Sequence, residues 1–425
     1  MTPSVVLFVL LFVFLFLIAF GVPIAISMGV ASLVVLLLGH LNPILIVQRM
    51  FASVDSFALI AVPFFILSGD LMSEGKTSQY IMDFMESITG FIRGSLWIVA
   101  ILTSMIFAAI SGSSAAVTAA VGGALMPQLK KRGYEDSTSA AVIASGGTIG
   151  VVIPPSVPMV LYASITFASV SKLFLNGFFP GILMGIALSL VAINKAYKES
   201  YPRVEKISIR NIFRTFIIAL PGILTPVIIL GGIFSGIFTP SEAAVVGVVW
   251  AIICSLFIYR DSNIRSMLKV FVKSSITSAV VMFLIAVCGI FSWILAYWSI
   301  PQMISHSLLS ITSNPYIGIL LVDVVLLIAG VFMETASIIL IFTPVLFQYV
   351  TALGINPVHF GVIETVAVAI GMITPPVAIC LYVISGISGI SIEEVSKKVV
   401  PFLIALIIVL LLYTYLPMVF PKLIL

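Results

Sequence analysis

The sequence of 425 residues is poor in charge, because Asp, Glu, Lys and Arg together make up 8% of it, compared with roughly 25% in soluble domains. The 16 acidic and 20 basic side chains are too few to cover the surface of a soluble protein of this length. Apolar residues make up 61% of the chain, and the mean hydropathy is +1.29. These values exclude soluble domains and predict a polytopic membrane protein, with room for about ten to fourteen membrane segments.

Histidine and cysteine are also scarce, with three of each in the chain. They are scattered and form no Cys-x-x-Cys or Cys/His spacing, so the sequence predicts no metal other than a transported cation. No nucleotide-binding loop of the Walker type is present, which excludes ATP as the direct energy source. The net charge of +4 gives no indication of a nucleic-acid partner. The cysteines lie inside apolar runs, where we expect small buried side chains: Cys254, Cys288 and Cys380.

The first part of the chain predicts three spans and an amphipathic segment. Two apolar runs, 4–20 and 22–38, are separated only by Gly21-Val22-Pro23, and we expect two short spans because one continuous helix would be too long for the bilayer. A third span is expected at 56–73. The segment 75–89 carries charged residues on successive turns and predicts an arm at the membrane interface.

A re-entrant hairpin is predicted where two short apolar runs, 94–110 and 115–126, meet at the serine-rich tip 111–114. Basic residues flank both outer ends of the pair. The apolar segment 137–170 follows and is interrupted by Pro154-Pro155. Because each proline lacks an N–H and clashes with the preceding turn, we expect a discontinuous helix here.

The same two units recur later in the chain. A second hairpin is predicted at 316–332 and 338–352, turning at residues 333–335, and a second broken helix at 357–390 is interrupted by Pro375-Pro376. The other expected segments are spans at 177–197, 215–234, 240–259, 274–298 and 399–416, and a second arm at 300–312.

A constant shift along the sequence relates the irregular positions of the two units. Such agreement is unexpected from the chance similarity of apolar runs, and it predicts an internal repeat of hairpin followed by broken helix. The matched positions are Gly133 with Gly354, Gly150 with Gly371, Pro154 with Pro375, Pro155 with Pro376, and Ser113 with Glu334.

Basic clusters indicate the orientation of the repeats, because cytoplasmic loops are enriched in Lys and Arg. With both large clusters inside, the first hairpin opens to the cytoplasm and the second opens outward, which leaves Arg49, Lys172 and Lys422 outside. The predicted fold is therefore an all-α polytopic membrane protein with an inverted repeat, a signature of secondary transporters. The clusters comprise Lys195, Lys198, Arg203, Lys206, Arg210 and Arg214, and Arg260, Arg265, Lys269 and Lys273.

The breaks and tips are the predicted sodium sites, one in each repeat. Unpaired backbone groups are costly in hydrocarbon unless protein, water or an ion satisfies them, and hydroxyl and carbonyl oxygens suit a hard cation. The alternative is that glycine and serine only permit close helix packing. The candidate ligands are Ser111, Ser113, Ser114, Gly147, Thr148 and Gly150 in the first repeat, and Gly330, Glu334, Thr335, Gly371 and Thr374 in the second.

An anionic substrate group is expected near the N-termini of the half-helices, which carry positive partial charge. The candidate substrate-binding residues are Ser113, Pro155, Ser156, Thr335 and Pro376.

The membrane carboxylates Glu334, Asp323 and Glu364 either have a function or lie at helix ends or wet cavities. Glu242 is expected to cap a helix. No intramembrane Lys or Arg offers an obvious carboxylate partner, and Arg93 is the basic residue nearest to a hairpin.

Five sequence segments carry a resemblance to a known family. They are 62–69 (VPFFILSG), 110–115 (ISGSSA), 147–156 (GTIGVVIPPS), 236–244 (GIFTPSEAA) and 371–376 (GMITPP), which together span most of the chain. In these segments the sequence resembles the large membrane subunit of tripartite ATP-independent periplasmic (TRAP) transporters.

The resemblance implies Na⁺-coupled import of organic acid anions, such as dicarboxylates or sialic acid, across the bacterial inner membrane. It also implies a small four-helix membrane subunit and a soluble periplasmic substrate-binding protein as partners, besides membrane lipid. It implies an elevator mechanism, in which the hairpins and broken helices move against a scaffold. The implied division is 1–92 as scaffold and first arm, 93–172 as the first moving repeat, 173–298 as scaffold, 299–313 as the second arm, 314–391 as the second moving repeat, and 392–425 as the C-terminal span.

Three other functions compete with this interpretation. A stand-alone sodium/carboxylate symporter has the same architecture without partners. A membrane enzyme requires clustered His, Asp or Cys near one face, which the sequence does not contain. A channel is the third alternative, and saturation of flux at carrier rates would argue against it.

Overall fold

The computed structural model describes residues 1–199, 201 and 208–420, and these residues form α-helices and short turns without any β-strand. Eight of the described helical segments are long and apolar enough to cross a membrane. The all-α polytopic fold predicted from the sequence is therefore confirmed. The predicted cytoplasmic residues Arg203 and Lys206 and the predicted external residue Lys422 lie outside the described residues.

The N-terminal helices follow the predicted order. A positive φ of 78° at Gly21 and the proline at position 23 separate the first two helices, because proline cannot continue a helix from the preceding turn. A 3₁₀ turn at Phe57–Ile60 leads into the fourth helix. The five helices are α1 (Pro3–Ala19), α2 (Ile24–Leu38), α3 (Ile44–Val54), α4 (Ala61–Glu74) and α5 (Thr77–Thr89).

The two helices of the first hairpin and the two halves of the first broken helix are present at the predicted positions, while the re-entrant placement of the hairpin stays a prediction. Ser113 and Ser156 begin the second arm of the hairpin and the second half of the broken helix, since each hydroxyl accepts a hydrogen bond from a backbone N–H of the first turn. A 3₁₀ turn at Ile149–Val151 and a cis Pro154–Pro155 bond separate the two half-helices. The helices are α6 (Ser95–Ser111), α7 (Ser114–Lys131), α8 (Asp136–Thr148) and α9 (Val157–Thr166).

The middle helices are longer than their apolar cores suggest. The last long span of this region begins at Ile264 rather than at the expected residue 274, because Asn263 and Ser266 cap each other there. Glu242 forms the predicted cap, in a reciprocal pair with Thr239. The helices are α10 (Val170–Lys198), α11 (Ile209–Phe234), α12 (Pro240–Ile253), α13 (Ile264–Tyr297) and α14 (Ile300–Ile311).

The second hairpin and the second broken helix repeat the layout of the first. Asn356 caps the first half-helix, and a cis Pro375–Pro376 bond lies in the break. The final span begins at Ile392, earlier than the expected residue 399. The helices are α15 (Pro315–Phe332), α16 (Thr335–Ala352), α17 (Pro357–Gly371), α18 (Ile379–Ser388) and α19 (Ile392–Val419).

The two repeats pack across each other. Helix α18 of the second repeat packs against α7 of the first, and α9 of the first packs against α16 of the second. Helices α10 and α19 pack against each other, and both contact α8 and α17. A second group forms around α4, which packs against α12 and α13, while α13 also packs against α2 and α3. The amphipathic α5 contacts both α6 and α11, and α14 contacts α16.

Candidate functional site

A cavity of about 370 Å³ lies where the tips of the two hairpins meet. The first tip contributes residues 111–114 to its walls, and the second tip contributes Glu334 and Thr335. The structure thus brings together predicted site residues that are more than 200 positions apart in the sequence. The remaining wall residues are Ile66, Gly69, Asp70, Ala115, Ala116, Val151, Val157, Pro158, Lys273, Thr277, Val281, Ala336, Met372 and Ile379.

The first tip lies directly on the break of its own repeat. Gly112 has a φ of 64°, and a Cβ added to it would stand 2.6 Å from the carbonyl oxygen of Pro155. Both the left-handed conformation and the close approach therefore require glycine at this position.

Oxygen atoms are concentrated behind the first tip. The Ser114 hydroxyl donates to the Thr148 carbonyl at 3.3 Å, and the Ser111 hydroxyl donates to the Ser113 carbonyl at 3.4 Å. Ser111, Ser114 and Thr148 are buried. These long contacts leave the oxygens only weakly committed to each other.

Two predicted glycines allow the broken helix to approach this cluster. A Cβ on Gly150 would stand 2.8 Å from the Ser113 carbonyl oxygen, and one on Gly147 would overlap the Thr118 hydroxyl at 1.9 Å. Neither glycine belongs to the cavity walls. Their observed effect is close packing, which is the alternative that the sequence left open.

The second tip also meets the break of its own repeat, through different contacts. Gly330 and Gly371 cross so closely that a Cβ on Gly371 would stand 2.4 Å from the Cα of Gly330. The Ala378 N–H donates to the Val331 carbonyl at 3.4 Å. The Thr335 hydroxyl donates to the sulfur of Met372 at 3.0 Å.

Several predicted site residues lie outside the cavity walls. The Thr374 hydroxyl donates to the Ile370 carbonyl near the end of α17 at 3.0 Å. Pro376 is exposed and does not line the cavity. Pro155 and Ser156 are buried. The Ser156 hydroxyl donates to the Val151 carbonyl and caps α9, so among the predicted substrate residues only Ser113 and Thr335 line this cavity.

Charged wall residues from α4 and α13 were missed by the sequence analysis. Asp70 accepts a hydrogen bond from the Ser274 hydroxyl at 2.6 Å, and Lys273 lines the cavity beside it. Lys273 is a basic residue at the cavity that the sequence did not indicate, because α13 begins before it. Arg93 instead stacks on Tyr197 at 5.4 Å and does not line the cavity. The mutual cap of Asn263 and Ser266 was the signal that could have revealed the earlier start.

Two buried carboxylates lie away from the cavity. Both oxygens of Glu364 are 2.9 Å from the Thr343 hydroxyl, and Asp323 accepts a hydrogen bond from the Thr414 hydroxyl at 3.0 Å. Neither belongs to the cavity walls. Their contacts tie α17 to α16 and α15 to α19.

A second cavity, of about 410 Å³, lies farther along α13. Its walls include Ile285 and Gly289 of α13, Asp55 beyond the end of α3, and Phe167 at the end of α9. The same helix therefore lines both cavities, at successive positions along its length.

Ion pairs tie the base of the first repeat to its neighbours. Glu135 pairs with Lys398 of α19 and with Lys195 of α10, and Arg132 pairs with Glu86 of the amphipathic α5. Partial burial favours a higher pKa for Glu135, but the hydrogen bond and charge of Lys398, with hydroxyl donors, outweigh it and lower the pKa below its ordinary value.

Comparisons with known proteins agree with this architecture. The family described as "Tripartite ATP-independent periplasmic transporter, DctM component" matches residues 11–419. A "C4-dicarboxylate TRAP transporter large permease protein DctM" of Pseudomonas aeruginosa is 40% identical over 369 residues, which are 87% of this chain and 86% of the relative. A "Sialic acid TRAP transporter large permease protein SiaM" of Vibrio cholerae is 36% identical and is covered to 93%, as is this chain.

A third relative is longer than this chain. The "Isethionate TRAP transporter permease protein DctMQ" of Oleidesulfovibrio alaskensis is 39% identical over 400 residues, which are 93% of this chain but 62% of the relative. Among solved structures, the YdaH transporter of Alcanivorax borkumensis has a TM-score of 0.63 at 12% identity, with 88% of each chain covered. This structural likeness supports the helical fold alone.

Proposed function

The chain belongs to the DctM family of tripartite ATP-independent periplasmic transporters, whose large permease subunits are multi-pass proteins of the bacterial inner membrane, and we propose that it carries organic acid anions inward with sodium. The observation that carries this proposal is the meeting of both hairpin tips in one cavity, with buried hydroxyls behind the first tip. The resemblance inferred from the sequence motifs is confirmed by the family match.

The oxygen spacing behind the first tip supports a sodium site there. Calcium, an ion of nearly the size of sodium, takes oxygen ligands at about 2.3–2.6 Å, so neighbouring ligands of an octahedron lie about 3.3–3.7 Å apart. The observed separations of 3.3 Å and 3.4 Å around Ser114 and Ser111 fall in this range. We place one sodium ion among the Ser111, Ser113, Ser114 and Thr148 oxygens.

The second repeat supports a different ligand set. Glu334 supplies a carboxylate at the tip and Thr335 a hydroxyl, while Gly330 and Gly371 bring the two backbones together. Because a carboxylate carries a full negative charge, a cation site that contains one needs fewer neutral oxygen ligands than a site built from hydroxyls and carbonyls. We place a second sodium ion at this tip, without Thr374, whose hydroxyl is hydrogen-bonded to the Ile370 carbonyl outside the cavity walls.

The anion is placed between the two tips. The N-termini of α7 and α16 begin at Ser114 and Thr335, and both residues line the cavity. Each helix N-terminus carries positive partial charge and unpaired N–H groups, which suit a carboxylate or sulfonate. The named relatives for C4-dicarboxylate, sialic acid and isethionate share such an acidic group. We therefore propose organic acids of this general chemistry as the substrates.

An elevator movement of the repeats fits the packing. The cross-packing of α7 with α18 and of α9 with α16 makes the two repeats one unit, and α10 and α19 pack onto it. We assign α10 and α19 to this moving unit, whereas the family resemblance implied that α10 belongs to the scaffold. The scaffold then comprises α1–α4 and α11–α13, with α5 and α14 as connecting arms.

The partners are proposed from the family. The extra length of the isethionate relative is consistent with a fused small membrane subunit, which would be a separate protein here. A periplasmic substrate-binding protein would deliver the anion. We also propose that the two repeats lie in opposite orientations across the membrane.

The test is uptake into proteoliposomes that contain this chain and its small membrane subunit. We expect uptake of one acid in a panel of dicarboxylates, sialic acid and sulfonates, only with the matching binding protein and an inward sodium gradient. Dissipating the gradient should abolish accumulation.

The controls separate the alternatives. Sodium-driven uptake without any binding protein would favour the stand-alone symporter. Accumulation that is unchanged when potassium replaces sodium would refute sodium coupling. Flux that does not saturate with substrate would favour a channel.

A further inference from the structure

A stripe of basic side chains runs along one face of α13. Arg265, Lys269 and Lys273 stand at four-residue intervals, so they lie above one another on the helix. All three side chains are exposed, and none forms an ion pair within the part of the chain that the structure describes. We call these three residues the basic stripe.

The basic stripe borders a groove that continues from the central cavity. This groove of about 600 Å³ is an open strip along α13, lined by the basic stripe, by Thr277 and by the apolar Leu268, Val272 and Ile276. Lys273 and Thr277 also line the cavity between the hairpin tips. The distance from Thr277 to Arg265 along the helix axis is about 18 Å. The groove therefore connects the substrate cavity with the N-terminal end of α13.

The charges along this route favour the departure of an anion. Asp70 and Glu334 line the cavity, so an anion that remains there after the proposed sodium ions have left is close to two carboxylates. Along the groove it meets three cations and approaches the N-terminus of α13, which carries positive partial charge. Asp261, four residues before Arg265 in the sequence, accepts a hydrogen bond from the backbone N–H of Lys76.

We propose that the basic stripe is an anion-binding release path, along which an organic acid leaves the cavity for the cytoplasmic end of α13. This inference rests on the proposed function, because it requires the cargo to be an anion. Lys273 meets the anion first, and Lys269 and Arg265 meet it in turn. Anionic lipid headgroups share this chemistry and are the competing ligand for the same side chains.

The first experiment measures the local potential without transport. In the variant Thr277→Cys, the new thiol is modified by methanethiosulfonate reagents that carry either a sulfonate or a trimethylammonium group. The three native cysteines are buried, and the unmutated chain provides their background rate. The sulfonate reagent should react faster, and adding Lys273→Gln should slow it about threefold, the effect of one charge at about 6 Å in water. Lys269→Gln should slow it less.

The matched control is Lys397→Gln, which removes an exposed positive charge from α19 and leaves the groove unchanged. This control should not alter the ratio of the two reaction rates. If neither Lys273→Gln nor Lys269→Gln changed the ratio of the sulfonate rate to the trimethylammonium rate, the proposal would be overturned.

A lipid comparison separates the two sources of anion. In nanodiscs of phosphatidylcholine the preference for the sulfonate reagent should be full, and adding phosphatidylglycerol should leave it unchanged. Loss of the preference with phosphatidylglycerol would show that headgroups occupy the basic stripe, which would overturn the release path.

The second experiment measures release in proteoliposomes. Lys269→Gln, which changes a residue of the groove that does not line the cavity, should raise the half-saturating concentration of acid on the cytoplasmic side about threefold, with no change on the opposite side. If the protein transports no acid but still reacts faster with the sulfonate reagent, the proposed function is refuted, while the positive potential of the groove is supported. Normal cytoplasmic half-saturation in Lys269→Gln would refute the release path alone.

Discussion

The first and second repeats share a helical layout and differ in where their polar groups lie. The break of the first repeat is buried throughout residues 149–160, whereas in the second Thr374 is only partly buried and Pro376 is exposed. The carboxylates Glu334, Asp323 and Glu364 of the second repeat take the places of Ser113, Leu102 and Ile143 in the first. The comparison teaches that a duplicated backbone keeps its glycines and prolines, while the chemistry at its tips diverges.

We expect the largest effect from substitutions at the close glycine contacts between tip and break, which both repeats contain. Gly112→Ala and Gly371→Ala each place a Cβ within 2.6 Å of backbone atoms that side-chain movement cannot relieve. Both variants should lose at least about tenfold in uptake, because a shift of the tips by about 1 Å can cost 10²-fold in a positioned site. Uptake per folded protein, measured after size-exclusion chromatography, checks this expectation.

Each repeat offers a matched control for these variants. Gly123→Ala and Gly386→Ala introduce the same methyl group where no atom lies within 4 Å. Both controls should retain uptake. Equal losses in controls and tip variants would mean that the close contacts at the tips are unimportant.

A smaller effect is expected where the repeats differ. Ser114→Ala removes a hydroxyl from the oxygen cluster of the first repeat, and we expect the half-saturating sodium concentration to rise about tenfold, which corresponds to about 1.4 kcal/mol. Thr335→Ala should raise it less, since Glu334 remains at the second tip. Sodium titrations of uptake check both variants, and Thr335→Ser should restore the wild-type curve. If Thr335→Ala raised the half-saturating sodium concentration more than Ser114→Ala did, the second tip would depend on its hydroxyl more than the first, contrary to our expectation.

The smallest expected effect concerns the base of each repeat. Glu135 begins α8 with ion pairs to neighbouring helices, whereas its counterpart Asn356 caps α17 through its own side chain. Because the pKa of folded Glu135 is lowered, its stabilisation is present above the ordinary pKa of glutamate, about 4.3, and is lost as the pH falls through the folded value.

Lys398→Gln should therefore lower the thermal unfolding midpoint slightly at neutral pH, as expected for a partly exposed ion pair. The difference from the wild type should disappear in acid, and Lys397→Gln should show no difference at either pH. A difference that persists below the ordinary pKa of glutamate would mean that Lys398 stabilises the fold by packing.

The sequence predicted the order of the elements well, because local signals specify them. Serine-rich tips, double prolines and short apolar runs indicate hairpins and breaks without any knowledge of packing. The start of α13 was missed, since Lys269 and Lys273 were counted as part of a cytoplasmic loop, although long basic side chains are tolerated near helix ends.

The site was predictable only in part, for a related reason. Ser111, Ser114 and Thr335 lie at helix ends that the sequence reveals, whereas Asp70 and Lys273 reach the cavity through tertiary packing of α4 and α13. Local periodicity carries no information about such contacts between distant helices.

Both cavities lie against α13, and the distance between them along this helix is short. Val281 is the last residue of this helix to line the first cavity, and Ile285 is the first to line the second. Four residues of helix rise only about 6 Å. The two cavities are therefore separated along α13 by about one helical turn, and substitutions within this turn are the most direct way to connect them.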